Sequence, residues 1–189
     1  MKRIILLLSV TWMLSGCAAV IVGGAAVSTI SVNEDPRTIG AQIDDTTIGS
    51  KVKDALSNIP SLKQNANINV HVYNGAVLLT GQAQNGNLKA EAERLTSAIS
   101  GVARVHNQVR IANSTAITTQ AHDVWLSNKV RASLLTEKEV NSLKLDVVVE
   151  DSEVFLMGIV SAAEARKAVE VTRNIGGVSK VYNILEIDG

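Results

Sequence analysis

The chain has 189 residues, of which 46% are hydrophobic and only 3% aromatic, so a core must be built mainly from aliphatic side chains. This length suits one compact domain or two small ones. Eighteen basic residues balance 18 acidic ones, which excludes the whole-protein positive field typical of nucleic-acid-binding proteins. Any site for an anionic partner must therefore be local.

The first 17 residues have the pattern of a lipoprotein signal peptide. Lys2 and Arg3 precede an apolar run from Ile4 to Leu14, and the sequence "LSGC" ends at Cys17. A basic start, an apolar centre and a small-residue cleavage site are typical of a secretory signal, and "LSGC" resembles the bacterial lipobox. We therefore expect residues 1–16 to be removed and Cys17, the only cysteine, to be acylated rather than paired in a disulfide.

An uncleaved membrane anchor is the alternative, because the apolar segment from Ala18 to Ile30 extends the run toward the roughly 20 residues of a spanning helix. Gly23 and Gly24 weaken this alternative. In lipoproteins with such a motif, retention at the inner membrane uses Asp at the position of Ala18. The resemblance therefore implies anchoring in the outer membrane.

A flexible tether is predicted to follow the anchor. The stretch "SVNEDPRTIGAQI" from Ser31 to Ile43 has no regular period, and Pro36 and Gly40 interrupt it. We therefore assign residues 17–43 to the lipidated N-terminus and tether.

From Asp44 onward the chain repeats itself. "DDTTIGSKVKDAL" at Asp44 matches "HDVWLSNKVRASL" at His122, "INVHVYNGAVLLTG" matches "LDVVVEDSEVFLMG", and "GVARVHNQVRI" matches "GVSKVYNILEI". The offset between matching residues falls from 78 to 77 to 76 along the repeat, as two single-residue deletions in loops would produce. We predict domains at 44–112 and 122–189, joined by a linker at 113–121.

Along each repeat, the spacing of apolar residues changes between helical and alternating in the same order. A helix comes first, with Asp45 or Asp123 as its N-cap. An alternating strand, a tight turn and a second strand follow, and Asn74-Gly75 is the pair preferred by type I′ hairpin turns. Asp151-Ser152 stands at the equivalent turn of the second repeat.

A second helix and a final strand complete each repeat. Ser161 and Glu164 predict a capping box at the second helix of the second repeat. The final strands contain alternating apolar residues, namely Val105, Val109 and Ile111 in one repeat and Val181, Leu185 and Ile187 in the other. The order αββαβ predicts an α+β fold of two tandem domains, each with two helices covering one face of a three-stranded sheet.

The pattern G-V-x-x-V-x-N occurs twice, at 101–107 and 177–183, each time after a hairpin strand that ends in glycine. It resembles the BON domain, an αββαβ module of bacterial envelope proteins, and two such domains behind a lipobox resemble the DolP family of outer-membrane lipoproteins. The resemblance covers nearly the whole chain. It implies a role in outer-membrane integrity, with localisation at the division site. Two soluble domains behind the anchor favour the periplasmic side of the membrane over the cell surface.

The glycines and asparagines of this pattern have structural roles in our interpretation. Gly101 and Gly177 suit a left-handed backbone position after a helix. Asn107 and Asn183 replace an apolar residue within strands, so we expect them to hydrogen-bond to nearby backbone.

Catalytic and metal-binding motifs are absent from the sequence. His71, His106 and His122 have no metal-ligand spacing, and there is no Gly-rich phosphate loop, nucleophile elbow or HExxH. The acidic run from Glu150 to Glu153 falls at a hairpin tip, where we expect it to be solvated. We predict a monomeric, non-enzymatic protein without metal or cofactor, and no nucleic-acid partner.

The first helix of the second repeat carries apolar residues that its counterpart lacks. If Leu126, Val130 and Leu134 face the core, a turn of about 100° per residue directs other positions outward. These positions are Val124, Trp125, Asn128, Ala132 and Leu135, flanked by Lys129 and Arg131; the first repeat has Thr46, Thr47, Ser50, Asp54 and Ser57 there. Both repeats build the same fold, so the extra apolar residues indicate an interface.

Trp and Leu bordered by basic residues suit the headgroup region of an anionic, phosphatidylglycerol-like membrane. The resemblance implies the same, since the DolP family inserts the tryptophan of this helix among anionic phospholipids. The residues carried over with Trp125 are Val124, Lys129, Val130, Arg131 and Leu135. We expect Val130 to lie mostly in the core, and Val124 departs from a polar residue in the family.

Two alternatives stay open for this helix. Trp125 and Leu135 could pack against the first domain or the linker and fix how the domains dock. The helix could instead bind a protein of the envelope, such as the outer-membrane protein insertion machinery or an activator of peptidoglycan amidases.

Overall fold

The computed structural model describes residues 35–112 and 117–188. The predicted signal peptide, Cys17 and most of the tether lie outside these ranges. Within them, no helix is both long enough and apolar enough to cross a membrane.

Each repeat forms the predicted αββαβ order. The first repeat contains α1 (Ile39–Ser57), α2 (Pro60–Asn65), β1 (Ala66–Tyr73), β2 (Ala76–Ala83), α3 (Gly86–Ser97), β3 (Arg104–Asn107) and β4 (Arg110–Ile111). The second contains α4 (Ile117–Thr136), a short 3-10 helix (Ser142–Lys144), β5 (Leu145–Glu150), β6 (Glu153–Val160), α5 (Ala162–Arg173) and β7 (Lys180–Ile187). The short helix α2 is an addition that the periodicity did not predict.

The second hairpin strand is the centre of each sheet. β2 pairs antiparallel with β1 and parallel with β3 and β4, and β6 pairs in the same way with β5 and β7. The last strand of the first domain is interrupted between Asn107 and Arg110, whereas β7 is continuous. The expected hydrogen bonds of the repeated asparagines are confirmed, because Asn107 Oδ1 accepts from Val109 N and Asn183 Oδ1 accepts from Leu185 N.

Two helices cover one face of each sheet, as predicted. Val52 of α1 and Ala92 of α3 are fully buried against Val77 of β2. In the second domain, Leu126, Val130 and Leu134 of α4 pack on the sheet together with Ala165 and Ala168 of α5. At the ends of the last strands, Ile111 and Ile187 are exposed. These last apolar residues of the predicted alternation are therefore not part of the core.

The opposite faces of the two sheets pack against each other, which the sequence pattern did not predict. Tyr73, Ala76 and Leu78 of the first domain form one buried cluster with Val148, Phe155 and Met157 of the second. The Phe155 and Tyr182 rings stack with their centroids 4.6 Å apart. The protein is therefore a four-layer structure, in which α1 and α3 form one outer layer and α4 and α5 form the other.

The acidic run of the second hairpin takes part in this domain interface. Glu150 accepts hydrogen bonds from Gln82 Nε2 at 2.8 Å and Asn69 Nδ2 at 3.1 Å. Arg110 pairs with Asp151 at 3.1 Å and Glu153 at 3.0 Å. The prediction of a solvated hairpin tip was wrong, because this turn meets the sheet of the first domain.

Both first helices begin earlier than predicted. α1 starts at Ile39, inside the predicted tether, and Thr38 caps it by accepting a hydrogen bond from Ala41 N. α4 starts at Ile117, inside the predicted linker. Asp45 and Asp123 therefore lie within the helices and cannot be their N-caps.

Both buried aspartates instead hold the hairpin turns. Asp45 accepts hydrogen bonds from Asn74 N at 2.7 Å and Gly75 N at 2.8 Å. Asp123 accepts from the equivalent pair, Asp151 N at 2.7 Å and Ser152 N at 2.8 Å. All four turn residues have positive φ, which confirms the predicted type of turn. The predicted capping box of Ser161 and Glu164 also forms.

Candidate functional site

The seven predicted site residues lie together on the outward side of α4. We call this set the α4 outer surface; it consists of Val124, Trp125, Asn128, Lys129, Arg131, Ala132 and Leu135, all exposed. Exposure reaches 64% for Val124 and 68% for Leu135. Val130 is fully buried, as expected for a residue of the core side.

Trp125 is held in place while remaining 53% exposed. Lys129 Nζ lies 4.9 Å from the centroid of its ring and donates a hydrogen bond to Gly176 O at 2.9 Å. The His122 ring is 5.6 Å away, centroid to centroid. Gly177 lies beside the indole, since a Cβ built there would be 3.8 Å from Trp125 Cζ3.

His122 and Gly177 were missed as parts of this site. Gly177 belongs to the repeated G-V-x-x-V-x-N pattern. Its φ of 108° confirms the predicted left-handed backbone position. Its proximity to Trp125 depends on the loop after α5 returning to α4, a contact that no local pattern contains. Together these neighbours fix the direction in which the indole points.

The two cations of the α4 outer surface differ in their surroundings. Arg131 pairs with Asp146 at 3.2 Å and donates to Val147 O, so its guanidinium points toward β5 and its charge is partly compensated. Lys129 instead lies beside Trp125. Lys129 is therefore the better placed of the two to meet an anion next to the indole.

Trp125 and Leu135 do not pack against the described part of the first domain. Both side chains are more than half exposed, while the domains meet through their sheet faces. Residues 113–116 of the predicted linker lie outside the described ranges, so packing of Trp125 and Leu135 against the linker stays a prediction.

The histidines show no catalytic arrangement in the described part of the chain. Burial lowers the pKa of His71 and of His106 below the ordinary histidine value. Residues 35–112 and 117–188 contain no cluster of three or more His, Cys, Asp or Glu side chains that could hold a metal ion.

Comparison with known proteins agrees with the repeat. The family model of the BON domain matches residues 44–113 and 122–189, so both helices α1 and α4 begin a few residues before the matched segments. The chain is 34% identical to the outer membrane lipoprotein DolP of Haemophilus influenzae, over 98% of this chain and 96% of that protein.

Two further relatives show similar coverage. The 21 kDa hemolysin of Actinobacillus pleuropneumoniae is 37% identical, over 80% of this chain and 78% of that protein. The osmotically-inducible protein Y of Escherichia coli is 28% identical, over 82% of this chain and 78% of that protein.

Proposed function

The chain belongs to the BON-domain family, in the group of DolP-like outer-membrane lipoproteins, and from this premise we propose that it binds anionic phospholipid through the α4 outer surface. It does so as a monomer anchored by acylated Cys17, on the periplasmic side of the outer membrane. Its role is non-enzymatic and supports the integrity of that membrane. Action at the division site stays a prediction from the family.

The observation that carries the proposal is the difference between two helices of one fold. On α4, Trp125 and Leu135 are 53% and 68% exposed. The equivalent residues of α1, Thr47 and Ser57, are polar. Exposed apolar side chains that the fold does not need are a mark of an interaction surface.

The chemistry of this surface fits the headgroup region of a bilayer. An indole combines an apolar ring with an N–H donor, and tryptophan is therefore favoured at membrane interfaces. Lys129 adds a cation beside it, and each basic residue near an anionic surface contributes about 1 kcal/mol. Because the acyl chains at Cys17 already hold the protein at the membrane, this second contact need only be weak.

The test replaces Trp125 with glutamate. The Trp125→Glu variant of the soluble fragment should keep its thermal midpoint, because the side chain is exposed, and should stop floating with phosphatidylglycerol vesicles. The indole fluorescence of the unaltered fragment should shift to the blue with these vesicles, since Trp125 is the only tryptophan after Trp12 is removed.

Thr47→Glu is the matched control. It introduces the same charge at the equivalent exposed position of α1, on the opposite outside of the molecule, and should float like the unaltered protein. Unchanged flotation of Trp125→Glu would contradict the proposal. Loss of an envelope protein from co-purification, with flotation intact, would favour the protein-partner alternative instead.

A further inference from the structure

Helices α4 and α5 lie antiparallel in one outer layer. Just past the middle of α4, Lys129 reaches Gly176 beyond the end of α5. Near the end of α4, Lys167 of α5 lies 3.9 Å from Glu137 and 3.5 Å from Glu139. α5 therefore lies beside α4 on the same outside of the molecule.

The internal repeat again provides a comparison, now between α3 and α5. The N-caps Asn85 and Ser161 and the buried Thr96 and Thr172 set the alignment. In that alignment, Arg166, Lys167 and Arg173 of α5 replace Ala90, Glu91 and Ser97 of α3. Ala165 and Glu170 of α5 in turn replace Lys89 and Arg94 of α3, so α5 carries three basic residues against two, at different positions of the helix and on the same side of the molecule as Trp125.

These basic residues differ in how far their charges are compensated. Arg166 and Arg173 are exposed, and neither forms an ion pair with another residue of the described ranges. Glu170 lies between them and borders the same shallow groove. Lys167 is engaged by Glu137 and Glu139. On α3, by contrast, Arg94 pairs with Glu91 at 2.7 Å.

We propose that Arg166 and Arg173 form a second row of contacts to bilayer phosphates, beside the insertion of Trp125. This inference rests on the proposed function and assigns the orientation of the bound protein, with α4 and α5 lying side by side on the membrane. Charge complementarity, and the position of α5 beside α4 in one outer layer, favour an anionic phospholipid bilayer as the occupant. Glu170 opposes the binding through repulsion from the same phosphates.

The test is co-sedimentation of the soluble fragment with vesicles of phosphatidylglycerol and phosphatidylcholine in about 0.1 M salt, where the Debye length is about 10 Å. Since each basic residue near such a surface contributes about fivefold in affinity, the Arg166→Gln, Arg173→Gln double variant should bind about tenfold or more weakly. Glu170→Gln should bind more tightly, by up to about fivefold. Opposite effects of neighbouring substitutions cannot arise from a general loss of folding.

Lys89→Gln with Arg94→Gln on α3 is the matched control. It removes the same two charges from the other outside of the molecule and should reduce binding by less than about twofold, since exposed charges beyond a Debye length are screened. Equal weakening by both double variants, or unchanged binding of the Arg166 and Arg173 variant, overturns the inference.

Trp125→Glu is measured in parallel. If it abolishes binding while the arginine variant binds normally, the α5 inference is wrong and the proposed function stands. If Trp125→Glu binds normally, the proposed function itself is wrong.

Discussion

At the scale of single residues, Asp45 and Asp123 show how one side chain can join two elements. Each carboxylate is buried, with 6% and 7% exposure, and each accepts both backbone N–H groups of a hairpin turn. The sequence placed both residues near a helix start and so predicted caps. Their true partners are about 30 residues away, which is beyond any capping pattern.

Asp123→Asn should destabilise the second domain strongly. The amide replaces one acceptor oxygen with a donor that faces a backbone N–H, and leaving a charged hydrogen bond unmade costs about 2 to 3 kcal/mol. Urea unfolding of the soluble fragment measures the change. Asp54→Asn, at an exposed position of α1, should stay within about 0.5 kcal/mol of the unaltered protein. Equal stability of the two variants would refute the proposal that Asp123 stabilises the fold by binding the hairpin turn.

The candidate site could be predicted from the sequence because it depends on one helix and its repeat. The exposure of all residues of the α4 outer surface follows from their angular positions relative to Leu126, Val130 and Leu134. The support given to Trp125 by His122 and Gly177 could not be predicted in this way. It requires knowledge of where a loop from another part of the chain returns.

At the scale of elements, the start of α1 shows why a proline or glycine alone is a weak predictor of where a helix begins. Pro36 lies just before the N-cap Thr38, and Gly40 falls in the first turn. Arg37 fixes this entry by pairing with Asp45 at 2.8 Å and lying 3.8 Å above the Tyr73 ring. The helix is thus extended by contacts with the first hairpin.

Thr38→Ala should cost about 1 kcal/mol, because it removes the side-chain acceptor of the α1 N-cap. Thermal and urea unfolding measure the effect. Thr46→Ala makes the same change inside the same helix, where the hydroxyl bonds to Gln42 O and alanine is the better helix former. This control should be neutral or slightly stabilising. A loss of stability in Thr46→Ala as large as that in Thr38→Ala would exclude a capping role.

The order and type of the main elements were predictable, since each follows from a period of apolar residues. Burial of β2 and β6 on both faces was not predicted, although the runs "AVLL" and "VFLM" are continuous rather than alternating. Continuous apolar strands are typical of sheets covered on both sides. That the second face of each sheet is covered by the sheet of the other repeat could be known only from the tertiary structure.

At the scale of the whole molecule, the packing of the two sheets couples stability to pH. His71 and His106 lie on strands of the first sheet, and burial lowers the pKa of both. Asp146, Lys53 and Arg131 are the charged groups that act on His71, and Arg104 and Glu186 act on His106. Protonation of either histidine is therefore less favourable in the folded state than in the unfolded one.

The free energy of unfolding should fall as the pH drops below about 6.5, the ordinary histidine pKa. The unfolded chain then binds more protons than the folded one, until the lowered folded pKa values are reached. His71→Val, which copies Val148 of the second repeat, should reduce this decline in urea titrations between pH 7.5 and 5. An undiminished decline would show that burial of His71 does not produce it.

The domain interface uses equivalent positions of both repeats. Asn74 Nδ2 donates to Glu186 Oε2 at 2.8 Å, and the counterparts of these two residues, Asp151 and Arg110, pair at 3.1 Å. Such reciprocity is the mark of a two-fold, self-complementary contact. The chain is thus built like a dimer whose two subunits have been fused.

Fusion allows what a dimer of identical subunits cannot achieve. In a symmetric pair, every substitution appears on both outsides of the four layers, and a flat bilayer can meet only one of them. A second copy of Trp125 would then be left in water, as an exposed apolar residue that favours aggregation. Once the copies share one chain, each outside evolves separately, so one can acquire an indole and arginines while the other keeps its threonines and serines.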